Sequence, residues 1–169
     1  MTIALAKRHA GLKEGHLTLD PFQKQIANDV GLIQLERCGL KAEVEFLAQR
    51  SDEFLMRARD QGRLFDFIFV DGDHSFGGKV TDAYLADYVL KAGGTICFHD
   101  SLFRSTAAAV RYLICERGYN IANINNQRLW FVLGRSIKHS LRLGAWYAYH
   151  VLPNLGYSIS CLRKPLKAA

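Results

Sequence analysis

The run FDFIFV at residues 65–70 constrains the fold more than any other segment of this chain. It is apolar at every position except Asp66 and rich in aromatic and β-branched side chains, the composition of a parallel strand covered on both sides. A strand of that kind needs sheet neighbours and overlying helices, so an α/β architecture is predicted. A second short apolar run, Thr95–Phe98, follows the turn at Gly93-Gly94 and reads as another central strand.

The remaining segments alternate in the same way. Thr2–His9 reads as a helix and His16–Asp20 as a strand. A helix is predicted from Phe22 to Arg37, with Ile26, Val30, Ile33 and Arg37 near helical spacing and Gly39 ending it. Ala42–Leu47 alternates Val44 and Phe46 with Glu43 and Glu45, as a half-polar strand does. Ser51 is placed to cap a helix that turns Phe54, Leu55 and Ala58 to one side and stops at Gly62. After FDFIFV the loop GDHSFGG leads to a helix near Val80–Leu90, and after the second run a helix over Thr106–Arg117 closes at Gly118. Strands are expected near Asn120–Ile124 and Leu129–Leu133. These elements make one domain over residues 1–135. Residues 136–169 form a basic, aromatic-rich extension in which Leu141, Leu143, Trp146, Tyr147, Tyr149 and Val151 suit a docked helix.

With 169 residues, 49% of them hydrophobic, the chain can build its core without disulfides or a structural metal. Cys38, Cys97, Cys115 and Cys161 form no CxxC pair, so buried thiols in a reducing cytoplasm are expected. The opening segment lacks the charge order of a signal peptide, and no apolar run is long enough to span a bilayer; a soluble, cytoplasmic protein is expected. The net charge is +6, and from Arg128 onward there is no Asp or Glu. That asymmetry is either a solvated basic tail or a surface for nucleic acid, anionic membrane or an acidic ligand.

Ligands of open α/β sheets bind beyond the carboxyl ends of the strands, and three strand ends here are acidic. Asp20 ends the first strand, Asp71 ends FDFIFV with Asp73 and His74 close behind, and Asp100 ends the second apolar run beside His99. Neighbouring strands lie about 4.8 Å apart, which would bring Asp71 and Asp100 to one point. Two carboxylates so close need a shared proton or a cation between them, and oxygen ligands suit Mg²⁺, leaving Asp73 or His74 as a general base. Taken singly, Asp71 also reads as the first residue of an Asp-Gly turn and Asp100 as a helix cap. In nucleotide-binding βαβ units an acidic residue like Asp20 accepts ribose hydroxyls about 20 residues after a glycine loop. Counting back from Asp20 reaches Met1, so that loop and its strand would precede residue 1; no GxGxG occurs here.

FDFIFVDGDHSF followed by LKAGGTICFHD, with HLTLDPFQ upstream, resembles the class I S-adenosylmethionine (SAM)-dependent O-methyltransferases that act on small molecules and sugars. The resemblance implies a Rossmann-like, mostly parallel sheet with helices on both faces, its first strand missing. It implies SAM as cofactor, with Asp20 on the ribose, Arg50 and Ser51 beside the adenine, and Asp71 also at the cofactor. Metal-dependent relatives imply Mg²⁺ on Asp71, His99 and Asp100, with Asp73 or His74 as catalytic base. The expected activity is O-methylation of a small hydroxylated acceptor. The alternative is a degenerate homologue that binds through its basic tail, and a sheet lacking its first strand would expose edges that favour a homo-oligomer. A metal hydrolase on a similar sheet is a further possibility, although no GxSxG nucleophile motif occurs.

Overall fold

The computed structural model describes residues 2–11, 15–100, 103–122 and 159–166. It divides into two compact units, Met1–Phe54 and Leu55–Ala169. The first contains α1 (Thr2–His9), β1 (His16–Leu19), α2 (Gln23–Ala27), α3 (Val30–Arg37), a short 3₁₀ turn at Lys41–Glu43, and β2 (Val44–Leu47). The two strands pair in parallel, from His16 opposite Val44 to Leu19 opposite Leu47.

The single helix expected over residues 22–37 is two. Asn28 and Asp29 have φ of 46° and 56°, the left-handed region that short polar side chains tolerate best after glycine, and they break the ladder between α2 and α3. The expected apolar stripe is consequently not the buried one. Ile26 is 77% exposed and Val30 and Ile33 are exposed as well, whereas Leu35, with Leu32 beside it, joins Ala4 and Leu40 in the core of this unit.

α4 (Ser51–Asp60) begins at the residue expected to cap it and buries Phe54, Leu55 and Ala58 as its spacing predicted. The second unit continues with β3 (Phe65–Val70), α5 (Phe76–Val89), β4 (Leu90–His99), α6 (Arg104–Arg117), β5 (Asn120–Ile121) and β6 (Ile159–Arg163). Their sheet has the order β3-β4-β6-β5. β3 and β4 are parallel, and β6 runs antiparallel to both of its neighbours. A segment set apart by its charge therefore supplies a strand inside the sheet. The strand expected at Leu129–Leu133 and the aromatic stretch from Leu141 to Val151 lie outside the described residues.

One face of this sheet carries Ile68 and Val70 from β3, Ile96 and Phe98 from β4, and Leu162 from β6. Against it pack Ala83 and Ala86 of α5 and Ala109, Val110 and Leu113 of α6, small residues mostly, which let the helices approach closely. The opposite face of β3 is different: Phe67 and Phe69 are 45% and 39% exposed, and among the described residues β3 is an edge strand. The central, doubly covered position predicted for FDFIFV is thus not the one found among the described residues. Composition shows that both faces are apolar, but not whether anything covers them.

The cysteine expectation is overturned. Cys97 and Cys161 stand directly opposite each other on β4 and β6 and are joined in a disulfide, while Cys38 and Cys115 lie at the surface. Cross-strand register, invisible in residue spacing, brings the pair together, and the ground for expecting a reducing compartment is removed. No helix among the described residues is long and apolar enough to cross a membrane.

A buried carboxylate pins the elements of this unit. Asp87 on α5 accepts from Arg117 Nε at 2.7 Å and from the Tyr119 hydroxyl at 2.8 Å, and Lys164, just past β6, lies 3.4 Å away. Asp87 raises the Arg117 guanidinium above its ordinary pKa. Burial, aided by the bond to Asp87, pushes the Tyr119 hydroxyl far above the ordinary tyrosine range. Gly94 is required at the irregular start of β4, since a Cβ there would stand 2.8 Å from the Lys91 carbonyl oxygen and 3.0 Å from that of Asp66.

Candidate functional site

The parallel register sets Val70 opposite Phe98, so β3 and β4 end side by side and deliver Asp71 and Asp100 to one place. Asp100 is held at φ 54°, a left-handed conformation uncommon for a residue with a side chain and typical of sites where function outweighs local strain. Its carbonyl accepts the Phe103 N–H at 3.0 Å. The cap position of α6 is Phe103, so the Asp100 carboxylate is not spent as a helix cap.

His99 Nδ1 lies 3.1 Å from Asp71 Oδ1 and 3.0 Å from Asp100 Oδ2. Neither contact has hydrogen-bond alignment, and this buried nitrogen has no hydrogen-bond partner among the described residues, so the contacts are ones of proximity and charge. His74 Nε2 lies 3.3 Å from Asp100 Oδ2, and its ring rests against Phe103 with centroids 5.2 Å apart. Asp71, His74 and Asp100 each offer one ligand atom, all within 4.8 Å of one another. His74, expected as a base, therefore shares this cluster with Asp71 and Asp100, and His99 stands beside it.

Asp73 is engaged in the turn that starts α5. Its Oδ1 accepts the Ser75 N–H and its Oδ2 the Ser75 hydroxyl, both at 2.8 Å, while Ser75 Oγ caps the helix by accepting the Gly78 N–H at 3.0 Å. This capping turn starts the helix at Phe76, four residues earlier than the loop-like GDHSFGG suggested. Gly78 makes the arrangement possible, because a Cβ there would fall 2.5 Å from Asp73 Oδ2.

Two buried charged groups of α5 were not singled out by the sequence reading. Lys79 is fully buried, and its Nζ has no hydrogen-bond partner among the described residues. Burial lowers its pKa below the ordinary lysine value, opposed by Asp71, Asp82, Asp100 and Asp73 in that order. Asp82 is also buried, with its Oδ2 3.6 Å from where a Cβ on Gly72 would be. The signal was available: Lys79, Ala83, Ala86 and Leu90 follow helical spacing, which sets Lys79 on the buried stripe of α5.

The ligand types at this cluster, two carboxylates and an imidazole, suit a divalent ion. The one buried ammonium among the described residues, Lys79, offsets only part of the charge of Asp71, Asp73, Asp82 and Asp100, so Asp71, His74 and Asp100 are the residues that would hold such an ion.

In the unit Met1–Phe54, Asp20 follows the carboxyl end of β1 and its N–H bonds the Leu47 carbonyl at 3.2 Å. Its Oδ1 accepts the Phe22 N–H at 2.8 Å. With the Gln23 amide oriented to satisfy both its ends, Gln23 donates to Asp20 Oδ2 at 2.7 Å and accepts from the Gly31 N–H at 3.1 Å. Close by, a cavity of about 320 Å³ is bounded by His16 and Thr18 of β1, Val44 and Phe46 of β2, and Leu32 and Leu35 of α3, among others. Desolvation, with help from the Lys7 charge, lowers the pKa of His16. Arg50 grips Asp52 with two parallel bonds of 3.0 Å and holds that carboxyl below its usual range, while Ser51 is the first residue of α4.

Comparison with known proteins agrees with this architecture. No curated protein matches the chain in sequence. In fold it is similar to a Streptococcus mutans protein classed as a SAM-dependent methyltransferase, with 11% identity and a TM-score of 0.57 over 92% of this chain. It is also similar to a methyltransferase homologue from Pyrococcus horikoshii, with 14% identity and a TM-score of 0.57 over 88% of this chain. The chain spans 40% and 52% of the lengths of those two proteins. Residues 1–101, which carry Asp20, the DGDHS loop and both β3 and β4 through Asp100, match the family model described as a methyltransferase domain. The α/β sheet with acidic residues at its parallel strand ends is that of the methyltransferase-domain family, and this chain belongs to it.

Proposed function

We propose that this chain serves SAM-dependent methylation of a hydroxyl group on a small molecule. The observation that carries this reading is the family match over the stretch holding Asp20 and the Asp71–Asp100 cluster. When bound, SAM supplies an electrophilic methyl group; the protein's part is to hold the cofactor and to align and deprotonate the acceptor.

Asp20 suits the cofactor's ribose. Each of its carboxylate oxygens accepts one hydrogen bond from the following turn, which leaves each a second lone pair for one of two adjacent hydroxyls. Arg50, its fork committed to Asp52, would offer the flat face of its guanidinium to an adenine ring. In the acceptor site Asp71 and Asp100 are acceptors for substrate hydroxyls. His74 takes the proton of the reacting hydroxyl on Nε2 as its oxygen gains the methyl group, and Asp100 stabilises the imidazolium. Asp73, its two oxygens engaged by Ser75, is assigned to holding the loop rather than to proton transfer. No step requires a divalent ion.

Calorimetric titration with SAM tests the cofactor half: saturable binding is expected, and it should vanish in Asp20→Ala. A folded chain that takes up no SAM would overturn the reading. Transfer of labelled methyl groups to a panel of hydroxylated small molecules tests the other half, with His74→Gln expected to slow transfer by about 10²–10⁴-fold.

A further inference from the structure

Apolar rings bound the candidate acceptor site on two sides. The Phe103 ring rests against His74 with centroids 5.2 Å apart, His74 Nε2 and His99 Nδ1 lie 3.3 and 3.0 Å from Asp100 Oδ2, and the centroid of the Phe69 ring is 6.4 Å from that of His99. These five side chains form one continuous row, with an aromatic ring at each end and the carboxylate in the middle. Both end rings are exposed among the described residues, Phe103 at 51%. The Phe103 N–H donates to the Asp100 carbonyl, which ties that ring to the same left-handed turn as the carboxylate. A lone apolar side chain at a surface means little, but two that bracket a polar cluster give the lining of a small-molecule site, aromatic walls about a few convergent polar groups.

We infer that the hydroxyl taken by this site belongs to an aromatic ring, that of a phenol, and that Phe103 is a specificity-determining residue that packs against that ring. The inference rests on reading the cluster as the acceptor site. A hydroxyl held between Asp100 and His74 brings the carbon framework that bears it beside Phe103, where an aromatic ring makes an offset or edge contact. A sugar would bring further hydroxyls to the same place, and a phenylalanine ring offers them no hydrogen bond in exchange for the water they lose. Acidity points the same way. A phenol ionises at about 10 and a saturated alcohol is close to water, at about 15.7, so an imidazole base removes the phenolic proton at far lower cost. The phenol oxygen gives its proton to His74 Nε2 and bonds the methyl carbon as the carbon–sulfur bond of the sulfonium breaks, leaving an aryl methyl ether, a neutral thioether and a protonated imidazole.

Catechol and methyl glucoside are the probes, followed through the ring resonances of His74 and Phe103 in the full chain, with and without SAM. Catechol should saturate with about tenfold or more the affinity of methyl glucoside. Phe103→Ala should weaken catechol by about two- to tenfold and leave methyl glucoside unchanged, and Phe103→Tyr, which keeps the ring, should bind catechol as the wild-type chain does. The Phe103 side chain is exposed and its bond to Asp100 is made by the backbone, so these substitutions spare the fold. Equal or tighter binding of methyl glucoside, or an unchanged catechol affinity in Phe103→Ala, would sink the inference. A chain that takes up no SAM overturns the methyltransferase reading, yet the catechol shifts are read without cofactor and still decide this one. Where SAM binds and neither probe saturates, the phenol inference falls and the cofactor reading stands.

Discussion

Between Leu55 and Ala169 the acidic strand ends stand on a core that unites β3, β4, β6, α5 and α6, whereas between Met1 and Phe54 the buried apolar cluster is Ala4, Leu35 and Leu40, with a cavity of about 320 Å³ nearby. The same strand-end logic serves both, yet the support differs. In the larger unit Asp71 and Asp100 extend from strands locked by cross-strand pairing, a disulfide and the Asp87 network. In the smaller one Asp20 follows a two-stranded ribbon and precedes a helix interrupted at Asn28–Asp29. Local opening costs least where apolar contacts are few, so the smaller unit is the softer one, and a ligand bound there would stabilise it more.

The largest expected effect comes from Asp87→Ala, which strips Arg117 and Tyr119 of a buried acceptor at once and takes a charge partner from Lys164, whose hydrogen bonds to the Asp87 and Leu90 carbonyls remain. Removing one partner of a buried network typically costs about 3 kcal/mol or more, read here as a drop in the denaturant midpoint of the larger unit. If hydrogen exchange at Thr18 and Phe46 accelerates as much as at Phe98, the contrast between the units fails. Next comes reduction of the Cys97–Cys161 disulfide. Closing a loop of this length stabilises a protein by about 2–4 kcal/mol, so a reductant should lower protection in β4 and β6 while leaving β1 and β2 unchanged.

Gly78→Ala should cost about 1–3 kcal/mol, because a Cβ 2.5 Å from Asp73 Oδ2 forces the Asp73–Ser75 turn apart. Its sharper reading is in His74, whose ring resonances should shift as the loop moves. The smallest effect is on pH dependence. The folded pKa of His16 is below its unfolded value near 6.5, so the unfolded chain takes up the proton first. Stability of the smaller unit should accordingly be complete above about pH 6.5 and decline as pH falls from there through the folded pKa. His16→Gln should flatten that decline, and resonances of the larger unit should not follow it.

Much of this was legible in the residues. Apolar or alternating runs and terminating glycines located β1, β2, β3 and the ends of α3, α4 and α6, because each follows from local chemistry. The Asp71–Asp100 juxtaposition was legible too, since parallel neighbours joined by one helix align their carboxyl ends. What escaped depends on pairing between distant segments. The Cys97–Cys161 bond needs the antiparallel register of a strand from the basic C-terminal stretch, and the exposure of Phe67 and Phe69 among the described residues depends on what packs against their face of β3, which composition does not carry. Lys79 escaped for another reason: a charged residue on an apolar stripe is ordinarily read as a boundary of the buried face, and here it lies within it.

The seat of β6 between β4 and β5 sets an order of assembly. Cys97 and Cys161, opposite each other on β4 and β6, are 64 residues apart, and among the described residues β5 pairs with β6 alone, so within them neither the second edge of β4 nor any edge of β5 is satisfied until that late segment arrives. Pairings so distant in sequence make for slow acquisition of the native state, and meanwhile the apolar strand Thr95–Phe98 is open to other chains. Refolding yield should therefore fall steeply with protein concentration, and the rate of recovery should follow the closing of this long loop rather than the formation of any helix.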